Sequence, residues 1–227
     1  MNESDEECSQ ALENPNIETV KIACVILAAG KSVRFGKLKQ LALINGKKSM
    51  IQQAIDTANS SKADPVLLVV GSGSPVIVAK VSLGRSNLVY NKDYEKGLSS
   101  SIRCGVSNLP PNCEAAILMV ADQPFLSPRL LDMMIDTYVR ERGSRVRIVA
   151  MASQGNPRNP VLLDRALFPE LQKLEGDSGA KTLVERHLSE TKLIEAIEPE
   201  VFIDIDTEEN FRELAKAKTR HRKLNEE

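Results

Sequence analysis

The stretch that most constrains this chain is 22–40, where an uninterrupted apolar run ends at Ala28-Ala29-Gly30 and opens into a cationic loop. A continuous apolar run is typical of a buried parallel strand, and small residues at its end let a ligand approach the backbone. Backbone N–H groups in such a turn, together with cationic side chains, bind anions. The stretch therefore predicts a phosphate-binding loop after the first strand. Its cations are Lys31, Arg34, Lys37 and Lys39.

Strands and helices alternate after this loop, and their order predicts the fold. An amphipathic helix after Ser49 is followed by a buried strand at 65–71, a helix at 76–83 and a short strand at 87–91. This β-α-β-α-β order is the beginning of a doubly wound sheet. The most continuous apolar run, 115–121, is expected to be the central strand. The other expected elements are helices at 98–109 and 127–142 and from 176, strands at 146–150, 161–163, 193–197 and 201–205 with a turn-rich loop at 154–160, and a last helix carrying Phe211.

The composition is that of a folded protein without a strong overall charge. Of the 227 residues, 42% are hydrophobic and 27% charged, and the formal net charge is −1, so no global field draws the protein to nucleic acid or an acidic membrane. The sequence shows no apolar run of about 18 residues and no secretory signal pattern, and we expect a cytoplasmic protein. We expect one folded domain at 21–217, between a disordered arm at 1–20 and a charged tail at 218–227.

Charged side chains at three predicted strand ends indicate a single site. The cationic loop follows the first strand, Asp122 follows the central strand, and Asp204 and Asp206 follow the last. In open α/β sheets, ligands bind outside the carboxyl ends of the strands. Cations facing carboxylates are compatible when a polyphosphate and a divalent cation lie between them, and Mg²⁺ takes carboxylate and phosphate oxygens as ligands. The alternatives are structural: Asp122 as a turn residue before Pro124, and Asp204 or Asp206 as a strand-end or helix-cap residue.

Several other kinds of site fail on spacing. A Walker A loop is G-x₄-G-K-[ST], whereas five residues separate Gly30 from Gly36, and Leu38 stands where the Mg²⁺-binding hydroxyl is needed. The segment from Gly71 to Gly73 lacks the third glycine of a dinucleotide-binding fingerprint. The four cysteines and two histidines show no ligand-like grouping, which argues against a zinc site.

The loop at 27–40 resembles the pattern L-A-A-G-x-[SG]-x-R-[MF]-G-x-x-K of nucleotidyltransferases of the nucleotide-sugar-transferase type. Later segments resemble the MobA-like NTP transferase family, and most of all its molybdenum cofactor cytidylyltransferases. The resemblance runs from about residue 22 to 217. It implies a three-layer α/β/α Rossmann-like fold of the nucleotide-diphospho-sugar transferase type, with a mostly parallel sheet. The later segments are 97–105, 122–124, 157–161, 176–181 and 204–207.

The resemblance also implies an activity: transfer of CMP from CTP to the terminal phosphate of molybdopterin or molybdenum cofactor, with Mg²⁺ as cofactor and release of pyrophosphate. Arg34, Lys39 and Asp122 would carry catalysis by neutralising phosphate charge, since a phosphate monoester acceptor is already ionised near pH 7. The implied nucleotide-binding residues are Leu27, Ala28, Ala29, Gly30, Arg34, Lys39, Ser100, Ser101 and Arg103. The implied acceptor-binding residues are Arg158, Asn159, Asp177 and Lys181, and the implied metal ligands are Asp122, Asp206 and, as a weaker candidate, Asp204.

Two departures from the family pattern fall in the acceptor half. Relatives often read G-H-P where this chain has Arg158-Asn159-Pro160, and arginine where it has Lys181; a lysine cannot reproduce a bidentate guanidinium contact. Base and acceptor therefore stay open, and one alternative is the same chemistry with GTP or with another phosphate acceptor such as a sugar-1-phosphate. Another is a non-catalytic carrier that hands molybdenum cofactor to a molybdoenzyme client. Neither nucleic acid nor a membrane is expected as a partner.

Overall fold

One seven-stranded sheet organises the part of the chain that the computed structural model describes, which is residues 20–30, 39–44, 48–71, 73–196 and 199–202. The strands are β1 (Lys21–Ala28), β2 (Leu43–Ile44), β3 (Lys48–Ser49), β4 (Val66–Val70), β5 (Asn87–Tyr90), β6 (Cys113–Val120), β7 (Ile148–Ser153), β8 (Asn156–Asp164) and β9 (Thr191–Glu195). β2 pairs with β3, and the others lie in the order β5-β4-β1-β6-β8-β7-β9. The predicted site residues Arg34, Asp204 and Asp206 lie outside the described residues, as do the tail at 218–227 and the arm at 1–20 apart from Val20.

Helices cover both faces of this sheet. They are α1 (Met50–Asn59), α2 (Ser74–Val78), α3 (Leu98–Ser107), α4 (Pro128–Arg140), α5 (Phe168–Leu171) and α6 (Ala180–Arg186). α1, α2 and α4 pack on one face and α3, α5 and α6 on the other, so the predicted three-layer α/β/α fold is confirmed. Ser49 caps α1 as expected, because its Oγ accepts from the Gln52 N–H at 3.3 Å. Among the described residues, none of the helices has the length and apolar content to cross a membrane.

β1 is buried on both faces, as its continuous apolar sequence predicts. Cys24 and Ile26 pack in the core on the α1 side, whereas Val25 and Leu27 pack in the core on the α3 side. β1 pairs in parallel with β4 and β6, and β6 is the fourth of the seven strands, the central position predicted for 115–121. Parallel pairing of neighbours makes β1 and β6 end at the same edge of the sheet.

β8 is the main departure from the sequence-based prediction. Its nine residues run antiparallel to both β6 and β7, where the sequence predicts a turn-rich loop at 154–160 and a short strand at 161–163. The turn is confined to Gln154 and Gly155, both with positive φ, as in a two-residue hairpin. Prolines in this stretch oppose a strand assignment, but the β7–β8 pairing shifts its register beside them. The sheet is therefore mostly parallel with one antiparallel strand inside it.

Two other expected elements differ from the structure. The helix predicted at 76–83 is only the short α2, in which Ile77 is the one buried residue. Val81 and Leu83 pack against the same core after the helix has ended. The strand predicted at 201–205 is also wrong in its described part, since Pro199–Phe202 forms a 3₁₀ turn. The rest of that segment lies outside the described residues.

Truncation of the central strand should destabilise the fold. Met119 in β6 is fully buried, so Met119→Ala should lower the free energy of unfolding by about 2–5 kcal/mol through lost burial and a residual cavity. Met133 in α4 is 38% exposed, and Met133→Ala should change the free energy of unfolding by about 0.5 kcal/mol or less. Urea denaturation of both variants measures the difference, and equal losses would contradict this placement of the core.

His187, the residue directly after α6, contacts carboxylates on α5 and on the short turn that follows it. Its Nε2 lies 3.0 Å from Glu170 Oε1 and its Nδ1 lies 3.2 Å from Glu190 Oε1. Hydrogen bonding to the carboxylates of Glu190 and, secondly, Glu170 raises the pKa of His187 above its ordinary value of 6.5. The protonated ring can donate to both carboxylates at once, which makes this contact dependent on pH.

His187 should therefore make stability depend on pH. Because its pKa is higher in the folded than in the unfolded chain, its contribution is fully present below about pH 6.5 and is lost as the pH rises through the folded-state pKa. Wild type should lose more unfolding free energy than His187→Gln between about pH 6 and about pH 8. Urea denaturation across this range measures the loss, and parallel profiles for the two proteins would refute the assignment.

Candidate active site

A cavity of about 500 Å³ opens at the carboxyl ends of β1 and β6, which is large enough for a small-molecule ligand. It brings together many of the residues that the sequence analysis nominates. These are Leu27, Ala28, Ala29, Gly30, Lys39, Ser101, Asp122 and Asp177. It also has lining residues that the sequence analysis did not nominate. These are Gln40, Met50, Tyr94, Glu95, Gly97, Leu98, Val120 and Ala121.

Lys39 and Asp122 form an ion pair in this cavity. Lys39 Nζ lies 2.9 Å from Asp122 Oδ2, and the two side chains are 13% and 32% exposed. Asp122 follows β6 by two residues, and contact between the strands continues as far as Ala121, whose N–H donates to Leu27 O at 3.1 Å. Lys39 begins a 3₁₀ turn that lies beyond the end of β1. The β1–β6 pairing thus brings together two charges that stand 83 positions apart in the sequence.

The second carboxylate oxygen of Asp122 fits a metal cation. Oδ1 is buried and accepts no hydrogen bond within the described part of the chain, and a buried charged oxygen without a donor costs free energy. A carboxylate oxygen is a suitable ligand for Mg²⁺ or Mn²⁺. The described residues include no group of three or more His, Cys, Asp or Glu side chains placed to hold an ion. Further ligands would therefore be phosphate oxygens, or Asp204 and Asp206 from outside the described residues.

Gln40 ties the end of β1 to the turn that carries Lys39. Its Nε2 donates to Gly30 O at 2.8 Å and to Ala28 O at 3.3 Å, and the residue is 7% exposed. The amide therefore links the residues on either side of positions 31–38 and fixes the backbone position of Lys39. Sequence reasoning missed this role, because a single polar residue outside any helix or strand period carries no pattern. Its only signal is its position directly after Lys39.

The first turn of α3 closes against the loop before α6. Gly97 has φ 92°, and a Cβ at this position would lie 2.4 Å from Gly176 O, so only glycine fits. Ser99 N–H donates to Gly176 O at 3.1 Å, and Leu98 N–H approaches Asp177 Oδ1 at 3.4 Å. These contacts hold Asp177, one of the predicted acceptor-binding residues, at the wall of the cavity.

Asn91 fixes the serines at the start of α3 by hydrogen bonds. Its Nδ2 donates to Ser100 Oγ at 2.9 Å and to Ser101 Oγ at 3.1 Å, and all three residues are buried. Ser100 Oγ in turn donates to Gly97 O at 2.8 Å. Ser101 therefore lines the cavity on a fixed support, whereas Ser100 is engaged within the protein.

Five of the predicted site residues that the structure describes are not among those that line the cavity. The Arg103 guanidinium donates to Leu174 O, and Lys181 is exposed beside Glu185, with Nζ and Oε1 3.8 Å apart. Arg158 and Asn159 lie in the first half of β8, next to the end of β6, because Leu118 pairs with Val161 and the two strands are antiparallel. That end of β8 therefore shares the sheet edge with Asp122. The five residues are Ser100, Arg103, Arg158, Asn159 and Lys181.

Comparison with known proteins gives the family. Residues 24–191 match the family described as the MobA-like NTP transferase domain, which is well over half of the chain. The chain belongs to this family. Its fold, its cavity and its membership together identify a nucleotidyltransferase, as the sequence analysis predicts.

Two curated relatives extend over most of the chain. Nicotine blue oxidoreductase from Paenarthrobacter nicotinovorans is 26% identical over 193 residues, covering 82% of this chain and 93% of the relative. Purine catabolism protein PucB from Bacillus subtilis (strain 168) is 29% identical over 197 residues, covering 82% and 92%. These proteins are similar to this chain along nearly their whole length.

Solved structures confirm the architecture. Rv0371c from Mycobacterium tuberculosis H37Rv has a TM-score of 0.77 at 27% identity, covering 87% of this chain and 98% of that one. The same protein in complex with manganese has a TM-score of 0.71 at 25% identity, covering 87% and 99%. A nucleotidyl transferase from Methanothermobacter thermautotroptrophicus, at 20% identity and covering 88% and 99%, shares the fold with a TM-score of 0.73. The nucleotide-diphospho-sugar transferase fold is therefore confirmed.

Removal of the Gln40 amide should loosen the end of the cavity that Ala28–Gly30 and Lys39 line. Gln40→Ala deletes both hydrogen bonds to the end of β1 and should lower the free energy of unfolding by about 1–3 kcal/mol. It should also weaken nucleotide binding, because Lys39 loses its fixed position. Gln53→Ala is the matched control, since that amide bonds only Thr57 Oγ1 of its own helix, at 3.4 Å. Urea denaturation and nucleotide titration measure both effects, and equal behaviour of the two variants would exclude the role.

Proposed function

We propose that this chain transfers CMP from CTP to the terminal phosphate of a molybdopterin-type acceptor and releases pyrophosphate. The observation that carries the proposal is the Lys39–Asp122 pair at the carboxyl ends of β1 and β6, with Oδ1 of the carboxylate buried and without a hydrogen bond among the described residues. An ammonium beside such an oxygen suits a triphosphate together with its divalent cation. Family membership supports the reaction type, and the resemblance to molybdenum cofactor cytidylyltransferases supports CTP and the acceptor.

The residues at this site suit a transfer that needs no general base. A phosphate monoester is already ionised near pH 7, so an acceptor oxygen attacks the α-phosphorus and the bond to the departing pyrophosphate breaks. Lys39 neutralises charge on the phosphates, and the backbone at Ala28–Gly30 lies against the nucleotide. Asp122 would hold a divalent cation, with Mg²⁺ proposed and manganese present in the Rv0371c complex, and that cation would supply further charge neutralisation. Rate acceleration then comes from positioning and charge stabilisation.

We assign the acceptor to the side of the cavity where Asp177 lies, toward the first half of β8 at the same edge of the sheet. Asp177 is held there by the first turn of α3, and Asn159 lies two residues before Val161, which pairs with Leu118 near the end of β6. Arg158 in the same stretch is exposed, and its planar guanidinium suits a second phosphate or carboxylate group. A phosphorylated acceptor approaching from this side would reach the edge where Asp122 lies.

A second candidate function is that of an oxidoreductase, because the Paenarthrobacter relative is named nicotine blue oxidoreductase. A nicotinamide dinucleotide also carries a diphosphate, which the same backbone and Lys39 could bind. The two candidates differ in their products. A redox enzyme would oxidise NADH or NADPH with a dye and release no pyrophosphate.

A pyrophosphate-release panel tests the proposed function. The full chain with Mg²⁺ is combined with each of four nucleoside triphosphates and with molybdopterin or a sugar-1-phosphate, and a parallel arm follows NADPH oxidation by a dye. We expect release with CTP and molybdopterin. Asp122→Asn or Lys39→Met should lower the rate by a factor of about 100 or more, the size of losing one charge-stabilising group.

The matched controls come from a surface ion pair of the same residue types. Lys48 and Asp56 are 45% and 38% exposed and lie outside the cavity, so Lys48→Met and Asp56→Asn should keep the wild-type rate. Release only with GTP or a sugar phosphate would reassign the substrate. NADPH oxidation without any pyrophosphate would reject the transferase proposal, as would normal rates in Asp122→Asn.

A further inference from the structure

We propose that the Lys39–Asp122 ion pair masks the site in the nucleotide-free enzyme, so that each partner hides the other's ligand-binding group. Asp122 then becomes a strong ligand for a divalent cation only after a triphosphate has drawn Lys39 away. This inference rests on the proposed function, because it takes a triphosphate and a divalent cation as the ligands of the cavity.

The Lys39 ammonium and the Asp122 carboxylate are in direct contact. Lys39 Nζ lies 2.9 Å from Asp122 Oδ2, within hydrogen-bond distance, and the Lys39 side chain is 13% exposed. The ammonium therefore occupies one oxygen of the carboxylate that the metal needs. The same carboxylate occupies the ammonium that the phosphates need. Neither group reaches its ligand at full strength until the pair opens.

Electrostatic repulsion opposes simultaneous binding of the Lys39 ammonium and a divalent cation to the Asp122 carboxylate. A divalent cation on the Asp122 carboxylate would repel an ammonium held on the same group, and charges in partly buried sites are weakly screened by salt. Oδ1 is the part of the carboxylate that stays available, because it is buried and accepts no hydrogen bond in the described part of the chain. The nucleotide-free site thus keeps a weak, half-masked metal ligand.

A triphosphate can open the pair because it offers more negative charge than one carboxylate. Lys39 has a flexible four-carbon stem with a compact charge at its end, and Gln40 fixes only the backbone position from which that stem starts. Transfer of the ammonium to phosphate oxygens leaves both Asp122 oxygens to the cation. By linkage, each ligand must then raise the affinity for the other by the same factor.

The structure offers a comparison pair that lacks these properties. Lys48 and Asp56 also form a lysine–aspartate contact, but their side chains are 45% and 38% exposed and neither lines the cavity. Exposed pairs of this kind contribute little. Substitutions there test whether any lost lysine or aspartate charge gives the same result.

Binding of Mn²⁺ alone to the full chain, without nucleotide or acceptor, tests the masking. Electron paramagnetic resonance of free Mn²⁺ would give the affinities of wild type, Lys39→Met and Lys48→Met. We expect Lys39→Met to bind Mn²⁺ more tightly than wild type by on the order of 10-fold, the usual size of a coupling between two ligands. Lys48→Met should match wild type.

The reciprocal measurement uses CTP in the presence of EDTA. Asp122→Asn should bind metal-free CTP more tightly than wild type or Asp56→Asn, because the ion pair from Asp122 to Lys39 and a carboxylate that repels phosphate are both lost. This arm keeps the proposal testable if Lys39→Met fails to fold. Weaker or unchanged binding in both arms, in variants that unfold cooperatively, would overturn the masking.

These outcomes are separate from those of the proposed function. Tighter Mn²⁺ binding by Lys39→Met with no pyrophosphate release in any arm of the panel would support the masking and reject the transferase reaction. Pyrophosphate release by wild type with no gain of affinity in either variant would keep the reaction and overturn the masking.

Discussion

Asp122 can meet Lys39 only because β1 and β6 run in parallel and end at the same edge of the sheet. That register depends on two apolar strands whose side chains fill the cores on both faces, so the sheet's burial fixes the position of the charges. The two oxygens of the Asp122 carboxylate therefore differ in their surroundings: Oδ2 contacts the Lys39 ammonium, and Oδ1 is buried without a hydrogen bond among the described residues. A buried charged oxygen without a hydrogen-bond donor costs free energy, and such an oxygen is a suitable ligand for a cation.

Much of the fold follows from patterns that depend on local sequence. The apolar run before Ala28 predicts a doubly buried strand and the run at 115–121 predicts the central one, and both predictions are confirmed. The meeting of Lys39 and Asp122 in one cavity follows as well, since both come after strands that end at the edge where α/β sheets bind ligands. These features need no knowledge of distant contacts.

The surroundings of Arg103 and of the predicted acceptor-binding residues needed the three-dimensional structure. The stretch at 154–160 has the composition of a loop, yet from Asn156 onward it forms a strand because β7 supplies a partner. Glu195 accepts from the N–H groups of the turn residues Gln154 and Gly155. Arg103 suits a phosphate by charge, but its guanidinium binds a carbonyl of the loop after α5. Long-range partners decide such cases, and a single sequence does not contain them.

The central claim is that the cavity directs attack on the α-phosphorus of a nucleotide. Wild-type enzyme with Mg²⁺, acceptor and CTP labelled with ³²P at either the α- or the γ-position tests this most directly, with products separated by chromatography. Transfer at the α-phosphorus puts the α-label into the acceptor product and the γ-label into pyrophosphate. Appearance of the γ-label in the acceptor or in inorganic phosphate, with the α-label left on a nucleoside diphosphate, would contradict the account.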